Sequence, residues 1–118
     1  MLLSIDTSKD IYKFGLYWNN FQKEFSALRE DKKDALFYIA QFLRQNKFNV
    51  RDLKAIAVYN SKGSFTGVRM CVTIANALSF SLKIPVFGYK TKNPPFIKII
   101  SKIKKKKNKI GEYVKPVY

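Results

Sequence analysis

The sequence predicts an α/β fold on one mixed sheet, with element order β-β-β-α-β-α-β. Three observations lead there. Short apolar runs bounded by polar turn residues recur at Leu2–Ile5, Ile56–Val58 and Val86–Tyr89. Two longer stretches between them carry apolar residues at helical spacing. The first three strands are joined by short turns, whereas the later ones are separated by helices. Short turns give an antiparallel meander, and helical connections give parallel strands with right-handed crossovers. A chain of 118 residues, 47% apolar and 15% aromatic, is the size of one domain with a real core.

Each element has its own signal. Leu2, Leu3 and Ile5 read as a buried strand that ends in the polar turn Asp6-Thr7-Ser8. Ile11 to Trp18 is a second strand with imperfect alternation, carrying Ile11, Phe14, Leu16 and Trp18. Asn19-Asn20 is a turn signal, and Phe21 to Leu28 forms the third strand. Asp31 is a helix cap, with Asp34 in the first turn. Leu36, Ile39, Ala40 and Leu43 give that helix one apolar face, and it ends near Asn46. Asp52 to Tyr59, with Ile56, Ala57 and Val58, is the next strand. Ser61 to Gly67 is a loop in which Gly63 is expected at positive φ and Ser64 or Thr66 caps the next helix. A second helix runs from Thr66 to Leu82, Pro85 stops it, and Val86–Tyr89 is the last strand. Asn93-Pro94-Pro95 then breaks the chain, and Phe96 to Ile103 has some amphipathic helical character. The expected organisation is a lobe over 1–91 and a lysine-rich tail over 92–118.

Composition excludes several chemistries. The single cysteine, Cys71, leaves no internal disulfide and no cysteine-based zinc site. The absence of histidine removes Ser-His-Asp and Cys-His catalysis and the histidine metal motifs. The N-terminus has no basic start and no long apolar stretch, so no secretory signal is expected. No apolar run of about 18 residues stands out, so no membrane span is expected and the default location is cytoplasmic.

The net charge is +15. Residues 90–118 hold ten lysines and one glutamate, +9, so about a quarter of the chain carries most of the excess. Lys102, Lys104, Lys105, Lys106, Lys107 and Lys109 form its centre. Such a run attracts phosphates of RNA or anionic lipid. A solvated arm, a linker and a generally lysine-rich composition are competing readings of the same run.

The second helix is apolar nearly all round. Val68, Cys71, Ile74, Ala75, Leu78 and Leu82 form one stripe able to pack on the sheet. Met70, Ala77 and Phe80 put apolar groups on the remaining surface, and Ser79 and Ser81 are small enough for close approach. Burial on both sides requires a second layer. Either the first helix and the tail supply it, or a partner or second copy does.

The loop opening this helix carries a resemblance. Gly63-Ser64-Phe65-Thr66-Gly67-Val68-Arg69 is similar to the signature of the TsaB (YeaZ) family, Gly-Pro-Gly-Ser-Phe-Thr-Gly-Leu-Arg-Ile-Gly. Ile5-Asp6-Thr7-Ser8 resembles that family's opening strand and turn. Asp52 to Val58 resembles the strand before the signature, and Ala75, Ala77-Leu78 and Ile84-Pro85-Val86 resemble the stretch after it. The resemblance covers residues 1–89. It implies one lobe of the actin-like, hexokinase-like (ASKHA) ATPase fold. It also implies a non-catalytic accessory subunit for N6-threonylcarbamoyladenosine formation in tRNA, with the catalytic paralogue TsaD and the ATPase TsaE as partners. ATP would enter only through the assembled complex, and no cofactor or metal belongs to the chain itself. The implied interface with TsaD, or with a second copy, is the helix residues Met70, Cys71, Ile74, Ala77, Leu78, Phe80 and Ser81. The sequence departs from the pattern at Ser61 and Lys62, where the family has Gly and Pro, and at Met70 and Cys71, where Ile and Gly are usual. Family members usually have a second lobe of comparable size, and only a basic tail follows Tyr89 in this sequence, so a reduced member or a fragment is expected. Asp6, Thr7 and Ser8 occupy the turn that faces nucleotide phosphates in catalytic relatives; the residues themselves favour a strand-end turn. Arg69, in the first turn of the second helix, is placed to pair with an acidic residue either within the fold or on the partner, and a structural role is the favoured reading. The alternatives are a basic RNA-binding module on an ATPase-like lobe, or an independent nucleotide-binding enzyme.

Overall fold

A computed structural model describes residues 1–18, 21–29 and 34–90. In chain order the elements are β1 (Leu2–Asp6), β2 (Ile11–Trp18), β3 (Phe21–Leu28), α1 (Ala35–Gln45), a 3-10 turn (Val50–Asp52), β4 (Ala55–Tyr59), α2 (Phe65–Leu82) and β5 (Val86–Tyr89). They keep the predicted β-β-β-α-β-α-β order. The strands form one sheet in the order β3-β2-β1-β4-β5. β1 pairs antiparallel with β2, and β2 with β3, while β1–β4 and β4–β5 are parallel. The mixed sheet is therefore as expected.

Both helical crossovers, β3 to β4 and β4 to β5, step the same way across the sheet. Right-handedness then places both helices on one face. The main core lies beneath them. Leu3 sits between Leu16 and Ile56, and Ile5 between Phe14 and Val58. These side chains meet Tyr38, Ile39, Phe42 and Leu43 of α1 and Val68, Cys71, Val72 and Ala75 of α2. The opposite face carries a smaller buried cluster of Leu2, Ala55 and Ala57, with Tyr17, Phe87 and Tyr89 packed against it.

Several local expectations are corrected. Asp34, not Asp31, caps α1: its backbone is extended and its carboxylate accepts from Phe37 N at 2.8 Å. Asp31 and the Asn19-Asn20 turn lie outside the described residues. The buried face of α1 is Ala35, Tyr38, Ile39, Phe42 and Leu43, leaving Leu36 and Ala40 exposed. The aromatics set this phase, because Phe42 and Tyr38 pack on Phe25 of β3 with ring centroids 5.5 and 6.2 Å away. Asp52 does not begin a strand. It closes a reciprocal capping box with Asn49 around the 3-10 turn, so β4 starts at Ala55.

α2 ends before Pro85 acts. Lys83 takes a left-handed conformation, φ 55°, and Ile84 N donates back to Ser79 O at 3.1 Å. The helix buries Gly67, Val68, Cys71, Val72, Ala75 and Ser79. The predicted stripe is thus rotated: Val72 and Ser79 are inside, and Ile74, Leu78 and Leu82 lie half-buried at its edge. Ser79 is tolerated inside because its hydroxyl donates to the Ile84 carbonyl. With 18 residues and a mean hydropathy of 1.3, α2 is long and apolar enough by length and composition to cross a membrane. This corrects the expectation that no such run exists. Here α2 packs on β4, β1 and β5.

Candidate functional site

β1 and β4 are adjacent and parallel, so their C-terminal ends deliver two loops side by side. One is the turn Asp6-Thr7-Ser8, the other the segment from Asn60 into α2. Main-chain and hydroxyl hydrogen bonds join them. Ser64 N donates to Ser8 O at 3.0 Å, and Thr7 Oγ1 donates to Gly67 O at 2.7 Å. Ser64 caps α2: its hydroxyl accepts from Gly67 N at 2.9 Å, and Val68 N donates to its carbonyl at 3.0 Å. Tyr59 pins the loop from below, donating its hydroxyl to Lys62 O at 2.6 Å.

This contact explains the two glycines. The expectation that Gly63 adopts positive φ is corrected, because close approach makes the demand instead. A Cβ on Gly63 would stand 2.6 Å from Ser8 Cβ, and one on Gly67 would overlap the Thr7 carbonyl oxygen. The loop and the turn are therefore one packed unit. Ser64, Phe65 and Thr66 face outward, and Val68 goes into the core. Arg69 does not find an acidic partner among the described residues. Its guanidinium lies 5.1 Å from the centroid of the exposed Phe65 ring.

The turn spends its own polar groups. Thr7 is 1% exposed, and its hydroxyl is used on Gly67. Ser8 donates its amide and hydroxyl to Asp6 Oδ1 at 2.9 and 2.6 Å. Beside it opens a cavity of about 610 Å³ on the face of the sheet opposite the two described helices, whose lining includes Asp6, Asp10, Glu24, Lys9, Lys13 and Tyr89. Charges of both signs line it. Among the described residues no group of three or more carboxylate, thiol or imidazole side chains is placed to hold a metal ion.

The predicted interface residues divide by burial. Phe80 is 71% exposed, Ala77 and Ser81 are exposed, and Met70, Ile74 and Leu78 are half-buried. Cys71 does not share that surface. It is buried, with Sγ 3.3 Å from Tyr59 O and 3.4 Å from Val68 O. Burial raises its thiol pKa, so it is a packed, protonated group. Burial likewise raises the Tyr17 and Tyr89 hydroxyls. Tyr12, missed in the sequence, steadies Met70 by donating to its sulfur at 3.5 Å. No spacing pattern signals that contact, since the residues are 58 apart. Lys102, Lys104, Lys105, Lys106, Lys107 and Lys109 lie outside the described residues.

A three-strand meander continued by helix, strand, helix and strand, with both helices on one face, defines a lobe of the actin-like ATPase fold. Two crystal structures from Pseudomonas aeruginosa share it. One is titled an uncharacterized protein with similarity to peptidase YEAZ and the other YeaZ. Each superposes with a TM-score of 0.69 at 25% identity over 75% of this chain and 42% of its own. The family described as "TsaD: tRNA N6-adenosine threonylcarbamoyltransferase" matches residues 26–91. Relatives named tRNA threonylcarbamoyladenosine biosynthesis protein TsaB include one from Buchnera aphidicola subsp. Schizaphis graminum, 34% identical over 90% of this chain and 51% of its own length. Another, from Escherichia coli, is 30% identical over 76% of this chain and 40% of its own. The chain belongs to the TsaB (YeaZ) family, and it spans about half the length of the curated relatives it matches.

Proposed function

We propose that this lobe is a non-catalytic accessory subunit in the formation of N6-threonylcarbamoyladenosine in tRNA, and that it works by binding TsaD. The observation that carries this is the outer surface of α2. A packed glycine loop fixes the start of the helix on the sheet. Phe80 and Ala77 then stand exposed beside half-buried Met70, Ile74 and Leu78. An apolar strip on a rigid helix suits a protein partner. The names of the TsaB relatives supply the pathway, and the family match supplies the paralogue. The buried hydroxyl of Thr7 and the protonated thiol of Cys71 support an accessory rather than a catalytic role. No cofactor belongs to the chain; ATP enters through TsaE and the assembled complex in the cytoplasm. The same α2 strip serves a homodimer when TsaD is absent.

The lobe of residues 1–91 carries this docking. The lysines from Lys102 to Lys109 in segment 92–118 guide tRNA by phosphate attraction. Mixing the chain with the TsaD protein of the same organism and measuring mass by size exclusion with light scattering tests the docking. A one-to-one or two-to-two complex is expected. Separate peaks at micromolar concentration would overturn it. Salt-dependent tRNA binding that survives replacement of the six lysines by Gln would overturn the tail's role.

A further inference from the structure

The two ends of the sheet differ in charge. β1, β4 and β5 start at the end opposite the Asp6-Thr7-Ser8 turn, and both helices finish there. Three contacts make that end one rim. The Phe21 and Phe48 rings meet at 5.7 Å, Lys54 N donates to Met1 O at 2.8 Å, and Ile56 N donates to Pro85 O at 3.0 Å. Six exposed cations stand on it: Lys23, Arg44, Lys47, Arg51, Lys54 and Lys83. Among the described residues Asp52 is its one carboxylate, and that group accepts from Asn49 N at 2.9 Å. At the other end Asp6, Asp10 and Asp34 are interleaved with the cations.

Helix geometry accounts for half of these cations. Arg44 lies in the last turn of α1, and Lys47 and Lys83 follow the two helices in left-handed conformations, φ 63° and 55°. A cation there meets the negative end of a helix dipole. Lys23 on β3, Arg51 on a single 3-10 turn and Lys54 before β4 answer no such demand. Six cations less Asp52, and less about one unit for the two helix ends, leave about +4. That charge spreads over the four strand spacings from β3 to β5, about 19 Å. A duplex strand presents a phosphate about every 3.4 Å, so the rim meets several at once. Trp18 closes β2 at the same end and is 50% exposed. It pairs with Phe21, whose ring packs on Phe48, the residue after Lys47. A half-exposed indole among cations is a platform on which an unpaired base stacks. Apart from Phe80 on α2, Trp18 and Val50 are the large apolar side chains exposed at this end, too few to insert into a lipid surface.

We propose that this rim binds RNA, with Lys23, Arg51 and Lys54 on backbone phosphates and Trp18 stacked on an unpaired base. The surface is separate from both the lysine tail and TsaD docking. It belongs to the folded lobe, and its test keeps the six tail lysines and Phe80 in every variant.

The test uses the full chain and a tRNA transcript as probe, with binding read by fluorescence anisotropy across a salt series. The rim variant combines Lys23→Gln, Arg51→Gln and Lys54→Gln. The control combines Lys9→Gln, Lys62→Gln and Lys90→Gln, exposed residues at the other end, and removes equal charge. The rim variant is expected to weaken binding about tenfold and to flatten the slope of log affinity against log salt by about 2, while the control loses less than about threefold. Trp18→Ala should weaken binding about fivefold or more with the slope unchanged, and Trp18→Phe should restore most of it. Equal losses in the rim variant and the control would overturn the proposal, because net charge alone would then explain binding. A parent chain that does not bind the transcript would also overturn it, and an unchanged affinity with Trp18→Ala would overturn the stacking. A lipid surface would replace RNA if binding to vesicles of phosphatidylserine and phosphatidylcholine fell in the rim variant while tRNA binding held. If circular dichroism shows the rim variant unfolding early, Lys54→Gln alone decides by a slope change of about 1.

Discussion

Gly67→Ala is the sharpest test of the packed unit formed by the loop and the turn. In an ordinary helix this change stabilises by up to about 1 kcal/mol, because glycine is a poor helix former. Here the added Cβ overlaps the Thr7 carbonyl oxygen and would stand 2.5 Å from Ser64 Oγ and 3.2 Å from the Ser8 carbonyl carbon. Two of the three are backbone atoms of the β1 turn, which cannot rotate away. Ser64 Oγ is held by the cap at 2.9 Å, and the Gly67 carbonyl by Thr7 at 2.7 Å. Relief therefore requires α2 to move off the turn, at about 1–3 kcal/mol for overpacking and about 1 kcal/mol for a weakened buried hydrogen bond. Less the propensity gain, the expected net loss is about 1–3 kcal/mol. Urea unfolding of the full chain, monitored by circular dichroism, would show the midpoint falling by roughly 1 M. A variant as stable as the parent, or more stable, would refute the close approach.

Other outcomes rest on neighbouring contacts. Ser64→Ala removes the α2 cap and should cost about 1 kcal/mol in the same unfolding experiment. Leu43→Ala, in the core, should cost about 2–5 kcal/mol, while Leu36→Ala on the exposed side of α1 should stay within about 0.5 kcal/mol. Cys71 titrates above its ordinary value of 9.0 because it is buried. The native state thus holds its proton longer than the unfolded chain, so its contribution is intact below about pH 9 and falls as pH rises beyond it. Cys71→Ala should remove that part of the alkaline decline in pH-dependent melting, and alkylation of Cys71 at about pH 8 should be slow until the chain unfolds.

The element order and the division of the sheet into an antiparallel meander and parallel strands are legible in the sequence because they rest on short apolar runs and on the length of the connections, both carried by residue type alone. The Gly63–Arg69 string places the loop and the start of α2 within about one residue. The rotation of α2 is not legible. Ser79 reads as a surface residue until its hydroxyl is known to reach Ile84 O, and Cys71 reads equally well on either side of so apolar a helix. The phase of α1 is hidden for a related reason: Tyr38 and Phe42 are core residues only because Phe25 lies opposite. Gly63 shows the same limit, since a glycine needed for contact and one needed for positive φ look identical in sequence.

Docking through the outer surface of α2 turns on Phe80. Phe80 is 71% exposed, so Phe80→Asp should leave the unfolding midpoint unchanged. The dissociation constant for TsaD, measured by calorimetry with the full chain, should rise at least about 30-fold, as expected for an aromatic anchor worth about 2 kcal/mol or more. An unchanged constant with Phe80→Asp would contradict the placement of the interface on α2.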